Sequence, residues 1–372
     1  MNQERLENEF VRLLEINCPS TQEKPLADYL TGYFRDLGLN LIEKASISQS
    51  KCNLFITIPA YQSAYEGAIL LSAHLDTIEP TDSIQIKRSN DRIASDGSTI
   101  LGADDKSGIA IIQEVVTSLL EDKLPHPAIE IAFSVEEEIH LLGSKDFPIE
   151  LITAKRGIVL DSDGDAGIIT HSAPSHFSFE ATIKGIPAHA GMEPEKGRSA
   201  ILLASKLIQT LPFGRIDPET TSNIGIIRGG KATNIVAEEC FLNGEVRSRN
   251  EAKLQLVSSY ITSVFNRSNT DGYQVDFRSH KPYTAYHLDP DSEFIQQLKK
   301  SAESIGLQPT VVGSGGGSDA NIYNERITNM QCVVLSCGMM KAHTHAEYID
   351  LSNLYKTTQW LLRYFTDIAS GK

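Results

Sequence analysis

Long apolar runs are missing from this chain of 372 residues. None approaches the roughly 20 residues a helix needs to cross a bilayer, so no membrane partner is expected. Clusters of Lys and Arg are missing too. With 48 acidic against 34 basic residues the net charge is −14, a diffuse negative field that disfavours nucleic acid as a partner. Cysteine is scarce. Cys18, Cys52, Cys240, Cys332 and Cys337 are scattered, odd in number and without a CxxC spacing, which fits buried thiols in a reducing cytoplasm rather than a disulfide framework. There are no internal repeats and no low-complexity tracts. The opening MNQERLENEFVRLLEI has the spacing of an amphipathic helix but neither a basic n-region nor an apolar h-region, so a secretory signal is not expected. What remains is an ordinary globular composition, 41% apolar and 22% charged, with length for two domains.

The order of periodicities divides the chain. Residues 3–17 and 24–37 carry apolar residues at helical spacing, 53–59 and 68–74 are apolar runs of strand length, 107–121 is a strong helix pattern, and 129–134 and 157–161 read as buried strands. Such alternation predicts an α/β fold with a mainly parallel sheet covered on both faces. From about 177 the pattern becomes strictly alternating. A strand, a helix over 198–211, two strands, a helix over 251–267 and a last strand make a β-α-β-β-α-β unit, an α+β sandwich. After Pro282 long helices and buried strands return. The expectation is a domain formed by 1–176 and 283–372, interrupted by a smaller one at 177–282.

Four segments carry chemistry. SAHLDT places His74 and Asp76 on the same side of a strand end, where the imidazole suits a metal and the carboxylate suits orienting it. LGADDKSG sets two adjacent aspartates, the first of them Asp104, before a helix; helix capping is the ordinary alternative. FSVEEEIHLLGS puts three glutamates at the end of an apolar strand, where they repel one another unless a cation takes one and leaves a neighbour as general base. VLDSDGD sets Asp161 at another strand end, and KAHTHAEYI follows a later strand with His343 and His345. Each segment by itself is equally a polar surface turn. Together they all lie just past strands, and in an open α/β sheet that edge forms one ligand cleft. Two histidines and three carboxylates suit two zinc-type cations sharing a carboxylate bridge.

These motifs, with GIPAHAG, GGKATNIVAEE, GEVRS and GGGSDAN, run in order from 72 to 349 and resemble the M20 family of co-catalytic zinc metallopeptidases, in particular peptidase T-like tripeptide aminopeptidases. The resemblance implies a zinc-peptidase catalytic domain with an inserted lid that often mediates dimerisation. It implies His74 and Asp161 as ligands of a first zinc, Asp104 as the bridge, and Glu138 and His343 as ligands of a second, with Asp76 holding the His74 ring. Glu137 matches the general base, while Glu136 lies one place too early and His345 does not align. In the inserted domain it implies His189 reaching a neighbouring subunit's site, and Asn234 and Arg247 contacting substrate, Arg247 by a bidentate grip on a peptide carboxylate; Arg249 is close enough to compete for that part. One departure stands out: His140 occupies a position where the family usually has glycine. The implied activity is aminopeptidase action on short peptides, by a homodimer joined through the inserted domain, with two zinc ions or, alternatively, cobalt or manganese. The alternatives are a carboxypeptidase or N-acyl amino acid amidohydrolase with the same metal centre, and a non-enzymatic scaffold, which would require a lost ligand or base.

Overall fold

The computed structural model describes residues 1–39, the backbone of 42–46, and residues 52–371. The chain divides into two compact units, one made of Met1–Ser172, Leu288–Ser314 and Ser318–Lys372, the other of Ala173–His287 with Gly315–Gly317. Each has its own apolar core. The second unit begins and ends a few residues outside 177–282, and it also takes in a short glycine-rich piece that alternating hydrophobicity cannot reveal.

The first unit is built on a mixed, mostly parallel sheet. Its strands run in the spatial order Ile42–Ser46, Cys52–Ile58, Ala128–Ser134, Ala68–His74, Arg156–Ser162, Gln331–Ser336 and Ile168–Ala173, with Thr310–Gly313 beside the last. The four central strands are mutually parallel. They are apolar and buried almost throughout, as strands covered on both faces must be. Antiparallel neighbours close the two sides. Helix Ala103–Glu121 is buried on nearly every side, and it comes so close to the sheet that a Cβ on Gly108 would lie 2.2 Å from the Leu160 carbonyl oxygen. A small antiparallel sheet of Ile86–Arg88, Arg92–Ser95, Met339–Met340 and Tyr348–Asp350 has no counterpart in the expectations above; its strands are two to four residues long, too short to show a period.

The second unit is an antiparallel sheet in the order Gly214–Asp217, Thr220–Gly229, Glu239–Ser248, Ser175–Lys184 and Gln274–Tyr283. Helices Ala200–Thr210 and Glu251–Asn266 pack on it through Ala204, Leu207, Leu254, Ile261 and Phe265. The β-α-β-β-α-β order is present, with the added short strand Gly214–Asp217. No described helix is long and apolar enough to cross a membrane.

Candidate metal centre

The parallel strands of the first unit all end on one edge, and the chain just beyond those ends supplies the titratable groups. His74 is the last residue of Ala68–His74 and is buried. Its Nδ1 lies 2.9 Å from the Asp76 carbonyl oxygen. A carbonyl only accepts, so Nδ1 carries a proton and Nε2 is turned toward Asp104 Oδ1 at 3.0 Å and Asp161 Oδ1 at 3.8 Å. Burial works against the imidazolium, yet Asp104 and Asp76 outweigh it and hold the His74 pKa well above its ordinary value.

Asp104 sits at a kink in the first turn of helix Ala103–Glu121, with a non-helical φ of −81° and ψ of 105°. Glu347, itself buried, fixes this approach by accepting the amides of Leu101, Gly102 and Asp104 at 2.9, 2.8 and 3.1 Å. The adjacent Asp105 is spoken for differently. Its carboxylate accepts the Gly108 amide at 3.0 Å and the His74 amide at 3.3 Å, so of the aspartate pair only Asp104 is turned to the histidines. His343 Nε2 lies 3.1 Å from Asp104 Oδ2 and 2.8 Å from Glu138 Oε1. Those two carboxylates raise its pKa to about 10. His345 points elsewhere, with Nδ1 2.9 Å from the Gly97 carbonyl oxygen.

Two groups result, His74–Asp104–Asp161 and Asp104–Glu138–His343, each with ligand atoms within 4.8 Å of one another, and Asp104 is common to both. The donors fit divalent cations. Imidazole nitrogens and carboxylate oxygens are the ligands zinc, cobalt and manganese take. Glu138 Oε1 is buried and has His343 Nε2 at 2.8 Å, so two atoms able to bind a metal stand side by side. Burial, then the charges of Asp104 and Glu137, push the Asp161 carboxyl well above its ordinary range, a repulsion that a cation relieves.

Glu137 belongs to neither group. It is buried beside them, and burial, with the charge of Glu138 and Asp319 added against the pull of His74, holds its carboxyl well above the usual range. The turn bearing it is shaped by left-handed residues: Glu136 at φ 53°, His140 at φ 74° and Leu141 at φ 60°. The conformation of His140 accounts for glycine being usual there, since a glycine adopts it without penalty. The His140 residue is exposed.

In the second unit, His189 and Asn234 lie on adjoining segments. His189 forms a β-bridge with Ile235, and the Ala190 amide donates to the Asn234 carbonyl at 3.0 Å. The exposed His189 accepts the Gly191 amide at Nδ1 (3.2 Å), which leaves Nε2 to carry the ring proton. Arg247 stands on Glu239–Ser248, its guanidinium forked on Glu245 at 3.0 and 3.0 Å. Arg249 donates to the Pro218 carbonyl.

Three buried carboxylates around the site escaped the sequence reading as structural parts: Glu23, Glu347 and Asp319, the last accepting from Ser134. Glu347 and Asp319 lie within quoted motifs, whereas Glu23 has no local signal.

Residues 70–367 match the family model "Peptidase family M20/M25/M40". The chain is 34% identical to YqjE of Bacillus subtilis strain 168 over 99% of its own length and 100% of that protein. Among solved structures, it resembles the aminopeptidase PepT of Bacillus cereus ATCC 10987 at 36% identity and a TM-score of 0.89, covering 99% of both chains. A tripeptidase of Staphylococcus aureus Mu50 matches at 31% identity and a TM-score of 0.93, covering 100% of this chain and 99% of that one.

Proposed function

The chain belongs to peptidase family M20/M25/M40 and is a peptide hydrolase, and we propose that it is a two-metal aminopeptidase acting on short peptides, tripeptides foremost. The observation that carries this reading is the pair of histidine–carboxylate groups sharing Asp104, with Glu137 buried beside them but outside both. His74 and Asp161 would hold one ion, Glu138 and His343 the other, and Asp104 both. When bound, two zinc-type cations supply Lewis acidity, polarising the scissile carbonyl and making water acidic enough to attack near neutral pH.

The chain's own residues do the rest. Asp76, through its backbone carbonyl, keeps the His74 Nδ1 proton in place and so presents Nε2. Glu137 takes the proton of the attacking water and returns it to the leaving amine. Its place buried beside both groups, outside either, suits a carboxylate that relays a proton rather than binding an ion. In the second unit, Arg247 and Asn234 bind the peptide, and the Nε2–H of His189 donates to the developing oxyanion.

We infer further that two copies pair through the second unit, and that His189 acts in the partner's site. Beyond Ser222 the outer edge of Thr220–Gly229 pairs with no strand among the described residues, and Ile226 and Ile227 on it are exposed, as is Leu202 on helix Ala200–Thr210. An open apolar edge of this kind favours a two-fold partner. The five free, buried cysteines suit a reducing cytoplasm. The test of the activity is a panel of tripeptides, dipeptides and N-acetyl amino acids with zinc, cobalt or manganese added. Release of the N-terminal residue from tripeptides is expected; cleavage of N-acetyl amino acids alone would overturn the aminopeptidase reading.

A further inference from the structure

The stretch 18–23 lies well ahead of residue 70, where the family match begins. In the structure it is nevertheless stitched to the site. Pro19 bridges Thr77, and the Thr77 amide donates to the Cys18 carbonyl at 3.1 Å, directly after the strand end that carries His74 and Asp76. Two side chains then reach the glutamate turn. Ser20 Oγ donates to Asp76 Oδ2 at 2.7 Å. Glu23, with no exposed surface, accepts the Glu136 amide at 3.1 Å and the Thr21 amide at 2.8 Å, both on Oε1.

Asp76 takes the next two amides of the turn, Glu137 on Oδ1 at 2.9 Å and Glu138 on Oδ2 at 3.2 Å. Three consecutive backbone N–H groups therefore end on two buried carboxylates. The first residue of the three has a left-handed φ of 53°, a conformation glutamate does not hold unaided. Left without acceptors, buried amides are costly, and the mutual repulsion of three glutamate side chains would splay the turn.

We propose that Glu23, supported by Ser20, is a positioning residue of the metal centre: Glu23 anchors the Glu136 amide while Ser20 braces Asp76, and together they set Glu137 and Glu138 in their working places at once. This rests on the roles assigned above to Glu137 and Glu138. Only Oε1 of Glu23 is used. Its Oε2 has no hydrogen-bond partner among the described residues, so an acceptor oxygen, not a charge, is what the turn requires.

The test compares the full chain with its Glu23→Met, Glu23→Gln and Ser20→Ala variants by tripeptide kinetics, circular dichroism and titration of the metal-free protein with cobalt followed by visible absorption. Glu23→Met keeps the volume and removes the acceptor. It is expected to stay folded, to keep its KM, to lose roughly 10–100-fold in kcat, and to bind cobalt more weakly with an altered spectrum, the usual scale for losing a group that orients metal ligands. Glu23→Gln should recover most of that loss, and Ser20→Ala should show a smaller loss of the same kind. A folded Glu23→Met with wild-type kcat and cobalt binding would overturn the proposal, as would a Glu23→Gln no better than Glu23→Met. Should Glu23→Met fail to fold, Ser20→Ala decides, and wild-type kcat and cobalt affinity there refute the idea. If the wild-type chain cleaves no peptide, the aminopeptidase reading falls while the cobalt titrations still judge the clamp.

Discussion

At the scale of single residues, the proposed mechanism separates a base from its neighbouring ligand. Glu137→Gln keeps the shape and removes the basic oxygen. It should cost about 10²–10⁴-fold in kcat and leave metal content, measured by elemental analysis, unchanged. A second residue links structure to pH. His176 and Arg247 hold the Glu245 carboxyl down to about 2, against the opposing effect of burial. The unfolded value is about 4.3, so the folded pKa is the lower one. The stabilisation is therefore fully present above about pH 4.3 and fades as pH falls toward 2. With a third of the side chain facing solvent, it amounts to no more than about 1 kcal/mol. In urea unfolding, the wild-type advantage over Glu245→Gln should narrow from about pH 7 to about pH 3. Legibility at this scale follows from how a residue acts. His74, Asp104, Glu138, Asp161 and His343 each stand out in sequence because they fall at or just past strand ends in segments of unusual polarity, and the fold brings them into two groups that could hold a metal. Glu23 and Glu347 work by accepting backbone amides from chain 113 and 243–246 residues away, and such contacts leave no local pattern.

Among elements, helix Ala103–Glu121 and strand Arg156–Ser162 approach closely. A Cβ at position 108 would meet the Leu160 carbonyl at 2.2 Å and Asp105 Oδ1 at 2.5 Å. Backbone cannot yield as a flexible side chain does. Gly108→Ala should cost about 1–3 kcal/mol or more in denaturant unfolding. It should also lower metal content, because Asp104 and Asp161 lie on the two elements forced apart. The long elements were legible from period alone: the buried helix 107–121 and the apolar strands 68–74, 129–134 and 157–161 were all expected, and their bounds shift by a few residues at most. Ile168–Ala173 and Thr310–Gly313 were not, since they lie toward one side of the sheet, where an apolar run need not be long. The true start of helix Ala103–Glu121 also escaped, because Asp104 and Asp105 belong to it only across a kink.

For the whole molecule, metal and partner should both register in bulk measurements. Ions that bind only the folded chain stabilise it by about 2.7 kcal/mol at a hundredfold excess over Kd, so chelation should lower the thermal midpoint by several degrees, and zinc, cobalt or manganese should restore it. A chelated protein with an unchanged midpoint would argue against ligands that converge on ions. If His189 acts across a dimer, mixing inactive Glu137→Gln with inactive His189→Ala should return part of the activity, because the hybrid has one intact site. No recovery, with subunit exchange demonstrated, would place His189 in its own chain's site. The two-unit organisation was legible as a change of period near 177, and the accretion of Gly315–Gly317 to the second unit was not, since glycines carry no period. The sheet order has a consequence for biosynthesis. Strand Arg156–Ser162 lies between Ala68–His74 and Gln331–Ser336, its second neighbour arriving only after the whole second unit has been made. A ribosome that has translated the first half thus holds an apolar strand with one side bare, for the roughly 10–30 seconds needed to synthesise about 170 further residues. Such an edge recruits other strands. Nascent chains stalled in that interval should be chaperone clients, and a fragment ending before residue 331 should collect in inclusion bodies even though every residue of its own sheet portion is native.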